Sequence, residues 1–160
     1  MRLFKKQEGQ TIIETALILV LLLFVLFGIT EFARAWYMKN SLKNAARQGA
    51  RVAVVTSQSS YPANFMCDNT TNCNDPNLNP IIRAVCCQPG VPRKAAPENT
   101  SVILECRDDL TNNIIPCNTV AASDTVRVTA QTNFQSVVSS RFWPWLQNIT
   151  ITTDASMRYE

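Results

Sequence analysis

The sequence predicts an α+β protein, pilin-like in layout: a long N-terminal helix, first apolar and then amphipathic, laid on a small antiparallel β-sheet head. Three observations predict it. Residues 16–29 (ALILVLLLFVLFGI) are fourteen consecutive apolar or small residues. Helical spacing then continues to about Thr56 with no proline or turn cluster in between. All eight prolines and all six cysteines fall from Pro62 onward, and strand-like alternation begins only near Ser101.

Along the chain the first zone, residues 1–9 (MRLFKKQEG), is short and basic, with Arg2, Lys5 and Lys6 against Glu8. The second, residues 10–30, is the apolar stretch. Drawn from Ile12 to Ile29 it gives about 27 Å of helix, close to the ~30 Å hydrocarbon core of a bilayer. It reads as a membrane-spanning segment or as the apolar core of a signal peptide. The third zone, residues 31–56, repeats Ala35, Met38, Leu42, Ala45, Gly49 and Val52 at steps of three and four. Arg34, Lys39, Lys43, Arg47 and Arg51 fall largely off that stripe. The two zones read as one helix from about Thr11 to Thr56, with Gly49 either a kink, an early end or a point of close packing.

Residues 57–160 form the head. From Tyr61 to Thr100 six prolines and four cysteines with little periodicity predict loop. Ser101–Cys106 (SVILEC) and Ile114–Ile115 predict a short hairpin around Asp108-Asp109. Asp124–Thr132 and Ile149–Met157 predict two half-buried strands. Such a sheet has one face free, and the helix stripe is the evident cover for it. Phe142, Trp143, Trp145 and Leu146 are expected to fill the core at the turn before the last strand.

Composition argues against catalysis. The chain has 160 residues, a net charge of +3 and no histidine. It therefore lacks the imidazole of Ser-His-Asp and Cys-His sites and of most catalytic zinc centres. Its four glycines are too scattered for a phosphate-cradling loop, and no basic run interleaves with aromatics as nucleic-acid binding requires. No cofactor and no metal site are expected. Asp108-Asp109, the one acidic pair, sits where a hairpin turn is predicted.

Six cysteines in a head of about a hundred residues point to an oxidising compartment. Cys67, Cys73, Cys86, Cys87, Cys106 and Cys117 allow fifteen pairings. The local loops Cys67–Cys73 and Cys106–Cys117 are plausible. Cys86 and Cys87 are then left unassigned, and at least one of these neighbours is expected to tie two segments together.

The junction of the first two zones carries the functional signal. Cleavage after Gly9 leaves Gln10 first and Glu14 at mature position five, with apolar sequence behind it. A basic leader, glycine at the cut, glutamate at plus five and a retained apolar helix resemble the type IV pilin signature. A carboxylate in the membrane costs ~2.5 to 3.5 kcal/mol at a helix centre and less near an interface. The α-ammonium freed at Gln10 lies one turn away and neutralises it, within the chain or across subunits.

Phe27-Gly28-Ile29, Glu31-Phe32, Arg34, Asn40, Leu42, Ala45-Ala46-Arg47 and Gly49-Ala50-Arg51 then resemble the TadE-like minor pilins (pseudopilins) of the tight-adherence, or Tad, pilus system. Thr15 departs from the aromatic residue common there in that family. The resemblance implies a single-pass inner-membrane precursor of a bacterium with its head outside the cytoplasm, later at the pilus or cell surface. It implies as partners a prepilin peptidase, the Tad inner-membrane assembly machinery, the lipid bilayer and other Tad pilins met through the N-terminal helix. Two alternatives stand beside it. Signal peptidase acting after Ala35, where Ala33-Arg34-Ala35 fits the small-x-small rule, releases a soluble binding protein; no cleavage leaves a plain membrane anchor.

Overall fold

The computed structural model describes residues 7–56, 61–62, 64–93, 99–136 and 149–159. Residues 1–6 of the expected leader and the aromatic segment 142–146 lie outside them. The elements in chain order are α1 (Gln7–Val55), β1 (Asn64–Cys67), α2 (Pro80–Cys86), β2 (Thr100–Arg107), β3 (Ile114–Ile115), β4 (Thr125–Phe134) and β5 (Ile149–Arg158). The chain divides into two compact units, Met1–Arg34 and Ala35–Glu160.

In the first unit, every residue from Gly9 to Thr30 is helical and exposed. In the second, α1 is amphipathic. Ser41, Leu42, Ala45, Ala46, Gly49, Ala50 and Ala53 are buried, while Lys43, Asn44, Arg47, Gln48 and Arg51 are exposed. The buried face is wider than the predicted stripe and made mostly of alanine. Small side chains let a neighbouring sheet approach closely, which trades side-chain area for dense packing.

The sheet is antiparallel in the order β1-β2-β4-β5, with β3 pairing β2. Alternation sets its faces. Val126, Val128, Ala130, Thr132 and Phe134 of β4 are buried, and their neighbours are half-buried. Register places Val102 opposite Ala130, Leu104 opposite Val128 and Cys106 opposite Val126. These inward pairs form one core with Leu42, Ala45, Ala46, Ala50 and Ala53 of α1. The helix stripe does cover the apolar face of the sheet, as the pattern predicts.

Gly49 is a point of close packing and not a kink. A Cβ there would overlap Val85 Cγ2 of α2 and stand 3.5 Å from Val128 Cγ1 of β4, and α1 continues past it to Val55. Tyr61 fastens the end of α1 by donating its hydroxyl hydrogen to the Ala53 carbonyl. Burial, and secondarily the nearby Tyr159, push that phenol up from 10.0 to about 12.

Two expectations need correction. Residues 61–100 are not all loop, since they hold β1 and α2. β1 is four residues long, too short to display a period, and owes its conformation to pairing with β2. α2 is seven residues long. Asn79 caps it by accepting from the Ile81 N–H at 2.9 Å, and Pro80 follows at the first helical position.

The second correction concerns the disulfides. Cys106–Cys117 closes as expected, but Cys67–Cys73 does not form. Cys67 bonds Cys86 and Cys73 bonds Cys87. Cys67 and Cys86 are both buried, on β1 and at the end of α2, whereas Cys73 and Cys87 are half-buried in the flanking loops. The two adjacent cysteines therefore reach different layers, and both tie distant segments together.

Candidate assembly helix

The first unit presents apolar surface of a kind a folded protein ordinarily hides. Leu17 is 69 % exposed, Leu21 68 % and Ile29 60 %. The best eighteen-residue window has a mean hydropathy of 2.9 and none of it is buried. By length and composition it can cross a membrane. Its exposure separates it from the core helix of a water-soluble domain, which passes the same length test while hidden inside.

Gly9, Gln10 and Glu14 lie together on this helix, all exposed. Gln10 precedes Glu14 by four residues, so they stack on one face about 6 Å apart along the axis. Ile13, Leu17 and Ile18 surround the carboxylate in sequence, and no Lys or Arg occurs between Gln7 and Ala33. Thr15 returns its hydroxyl hydrogen to the Thr11 carbonyl at 2.8 Å, and Thr30 does the same to Phe27 at 2.9 Å. These threonines are satisfied within the helix, as polar residues in hydrocarbon must be. Among the described residues Glu14 has no such local partner.

Among the described residues, the acidic side chains of the head hold its structure together. Asp108 accepts from the Thr111 and Leu110 N–H groups, both at 2.8 Å, which holds its carboxyl below the usual range and fixes the β2–β3 turn. Asp109 takes Arg158 at 2.7 Å. Asp68 is likewise lowered by hydrogen bonds from Thr70 and then Thr71, within its own turn. Asp124 is buried and accepts from the Ala121 N–H at 2.8 Å and the Asp109 N–H at 3.3 Å, and β4 starts after it, at Thr125, one residue later than predicted. Among the described residues no group of three His, Cys, Asp or Glu side chains gathers as a metal site would require.

Sequence spacing did not bring out two things. One is the contact of Gly49 with α2, which needed α2 to be recognised; the Asn79-Pro80 pair was the signal available. The other is how cleanly the cations of α1 segregate. Lys39, Lys43, Arg47 and Arg51 occupy one exposed row.

Residues 9–51 match the family model of TadE-like proteins. The matched span runs from the proposed cleavage glycine through the apolar stretch to the cationic row, and over it the chain is similar to TadE-like proteins. No curated protein and no solved structure matches the chain.

Proposed function

We propose that the chain is a structural minor pilin of a Tad-type pilus, made as a precursor and cut after Gly9 by a prepilin peptidase. The observation that carries this reading is Glu14, a carboxylate in a stretch with no Lys or Arg from Gln7 to Ala33, one turn from the nitrogen that cleavage converts to an ammonium. A buried charge lacking its partner is strongly unfavourable, so the subunit gains most when that pair forms among packed helices. Gly9 lies inside α1, where glycine costs about 0.5–1 kcal/mol relative to alanine. That weakness eases the unwinding a peptidase needs at the scissile bond.

In this reading residues 10–30 anchor the subunit in the inner membrane and later pack with other pilins, while the disulfide-bonded head stays outside the cytoplasm. The role is structural rather than enzymatic. Intact mass of the mature protein tests it: a first residue of Gln10 is expected, and a first residue of Met1 in cells with active peptidase overturns it.

The boundary between the two compact units favours a second reading. It falls between Arg34 and Ala35, next to the alternative cut after Ala35. Signal peptidase would there release nearly the whole second unit, and a mature start at Trp36 identifies that outcome.

A further inference from the structure

We infer that the cationic row Lys39, Lys43, Arg47 and Arg51 on α1 docks an acidic helix of a different subunit; this rests on the pilus-subunit reading above. The row is uniform. Between Phe32 and Cys67 the sequence has five basic residues and no acidic one. Four of the five recur at every fourth position on the exposed face, opposite the stripe buried under the sheet. Like charges at this spacing repel, and an ordinary solvated helix face alternates signs instead.

No ion pair relieves the row. Lys43, Arg47 and Arg51 have no carboxylate within salt-bridge distance among the described residues, and Lys39 instead lies 5.9 Å from the Trp36 ring centroid. Cations just past a membrane span also oppose a head held outside the cytoplasm, by the positive-inside tendency. The row is thus unfavourable for the isolated subunit on two counts, and a complementary anion removes the first.

Three classes of anion compete for it. Among the described residues, a second copy of the chain offers no unengaged carboxylate on its head. Asp109 holds Arg158, Asp154 holds Arg127, Glu105 holds Arg107, and Asp68 and Asp108 close their own turns. A lipid surface attracts such cations electrostatically, but its headgroups are mobile and hold no fixed pitch, and lasting capture of an amphipathic helix takes in its apolar face. Here that face is already buried against the sheet. A helix with Asp or Glu at every fourth position matches the ~6 Å pitch of the row and needs no apolar contribution. Asn40, Asn44 and Gln48 form a second exposed row alongside, supplying neutral hydrogen-bonding groups at the same pitch.

The test is photo-cross-linking in cells that assemble the pilus, with a benzophenone side chain placed in the full chain at Asn44 or Gln48. The expected product is an adduct with a different polypeptide. It falls at least tenfold in K43E/R47E/R51E and returns when acidic residues of the captured helix are reversed to lysine. The milder R47Q/R51Q, checked for all three disulfides, stands in if the triple variant fails to oxidise, with a several-fold loss expected. An adduct of twice the subunit mass, a lipid adduct, no adduct, an adduct that survives charge reversal, or no rescue by the reversed partner each overturns the inference. Intact mass from the same cells separates the two claims: a chain starting at Gln10 without the adduct sinks the docking alone, and a chain still starting at Met1 sinks the pilin reading.

Discussion

Residues 9–30 and 41–53 belong to the same helix yet solve opposite problems. The first stretch is built of Leu, Ile, Val and Phe, all exposed; the second buries alanine, glycine and one leucine in pairs, with exposed polar pairs between them. Large branched side chains suit a helix whose surroundings are fluid lipid or other helices. Small ones suit a helix that must meet rows of valine already fixed on a sheet. Apolarity alone therefore says little about what a helix face touches, and side-chain size says more.

Changes that treat the two stretches differently will break or sharpen this contrast. The largest effect is expected at Glu14. Glu14→Ala should leave cleavage intact by mass but reduce incorporation into pili at least tenfold by immunoblot of sheared fibres; normal incorporation would remove the proposed role. Next come paired leucine truncations. Leu42→Ala should cost 2–5 kcal/mol in denaturant unfolding of the head, because Leu42 is fully buried. Leu21→Ala, at a site 68 % exposed, should leave that midpoint unchanged.

Removing the inner staple with Cys67→Ser/Cys86→Ser should cost about 2–4 kcal/mol by the same measurement. Gly49→Ala should cost about 1–3 kcal/mol, since Val85 must yield to the new methyl group. The smallest effect concerns Tyr61, whose folded-state pKa is raised. Its contribution is full below pH 10, the unperturbed value, and is lost as pH rises toward about 12. Tyr61→Phe should flatten that alkaline decline and cost about 1 kcal/mol at neutral pH, through the lost hydrogen bond to Ala53.

Much of this was legible in the sequence where period and length are strong. The long helix and the two alternating strands register as repeating apolar positions, and the Ile114–Ile115 pair was placed by the turn signals around it. β1 and α2 were not legible as elements, because four and seven residues offer no more than two periods. Their conformations come from partners, β2 in one case and the disulfides in the other. The same limit produced the wrong pairing for Cys67. Sequence distance favoured Cys73, whereas burial of β1 against α2 selected Cys86. Of the candidate site, Gly9, Gln10 and Glu14 were readable from spacing alone. The spacing also set the cations off the apolar stripe, and the structure adds that Lys39, Lys43, Arg47 and Arg51 are all exposed.

The neighbouring pair Cys86-Cys87 has a consequence for biogenesis. If the head is exported as the pilin reading proposes, Cys67 and Cys73 emerge before either true partner has arrived. They lie six residues apart, and so short a loop closes readily. The bond that is absent from the finished head is thus the earliest one available, and reaching the native state requires a thiolate to attack and reopen it. In the pilin reading, the later-arriving thiolate of Cys86 or Cys87 can supply that attack, so the second of these neighbours also serves as a built-in proofreader of the first bond.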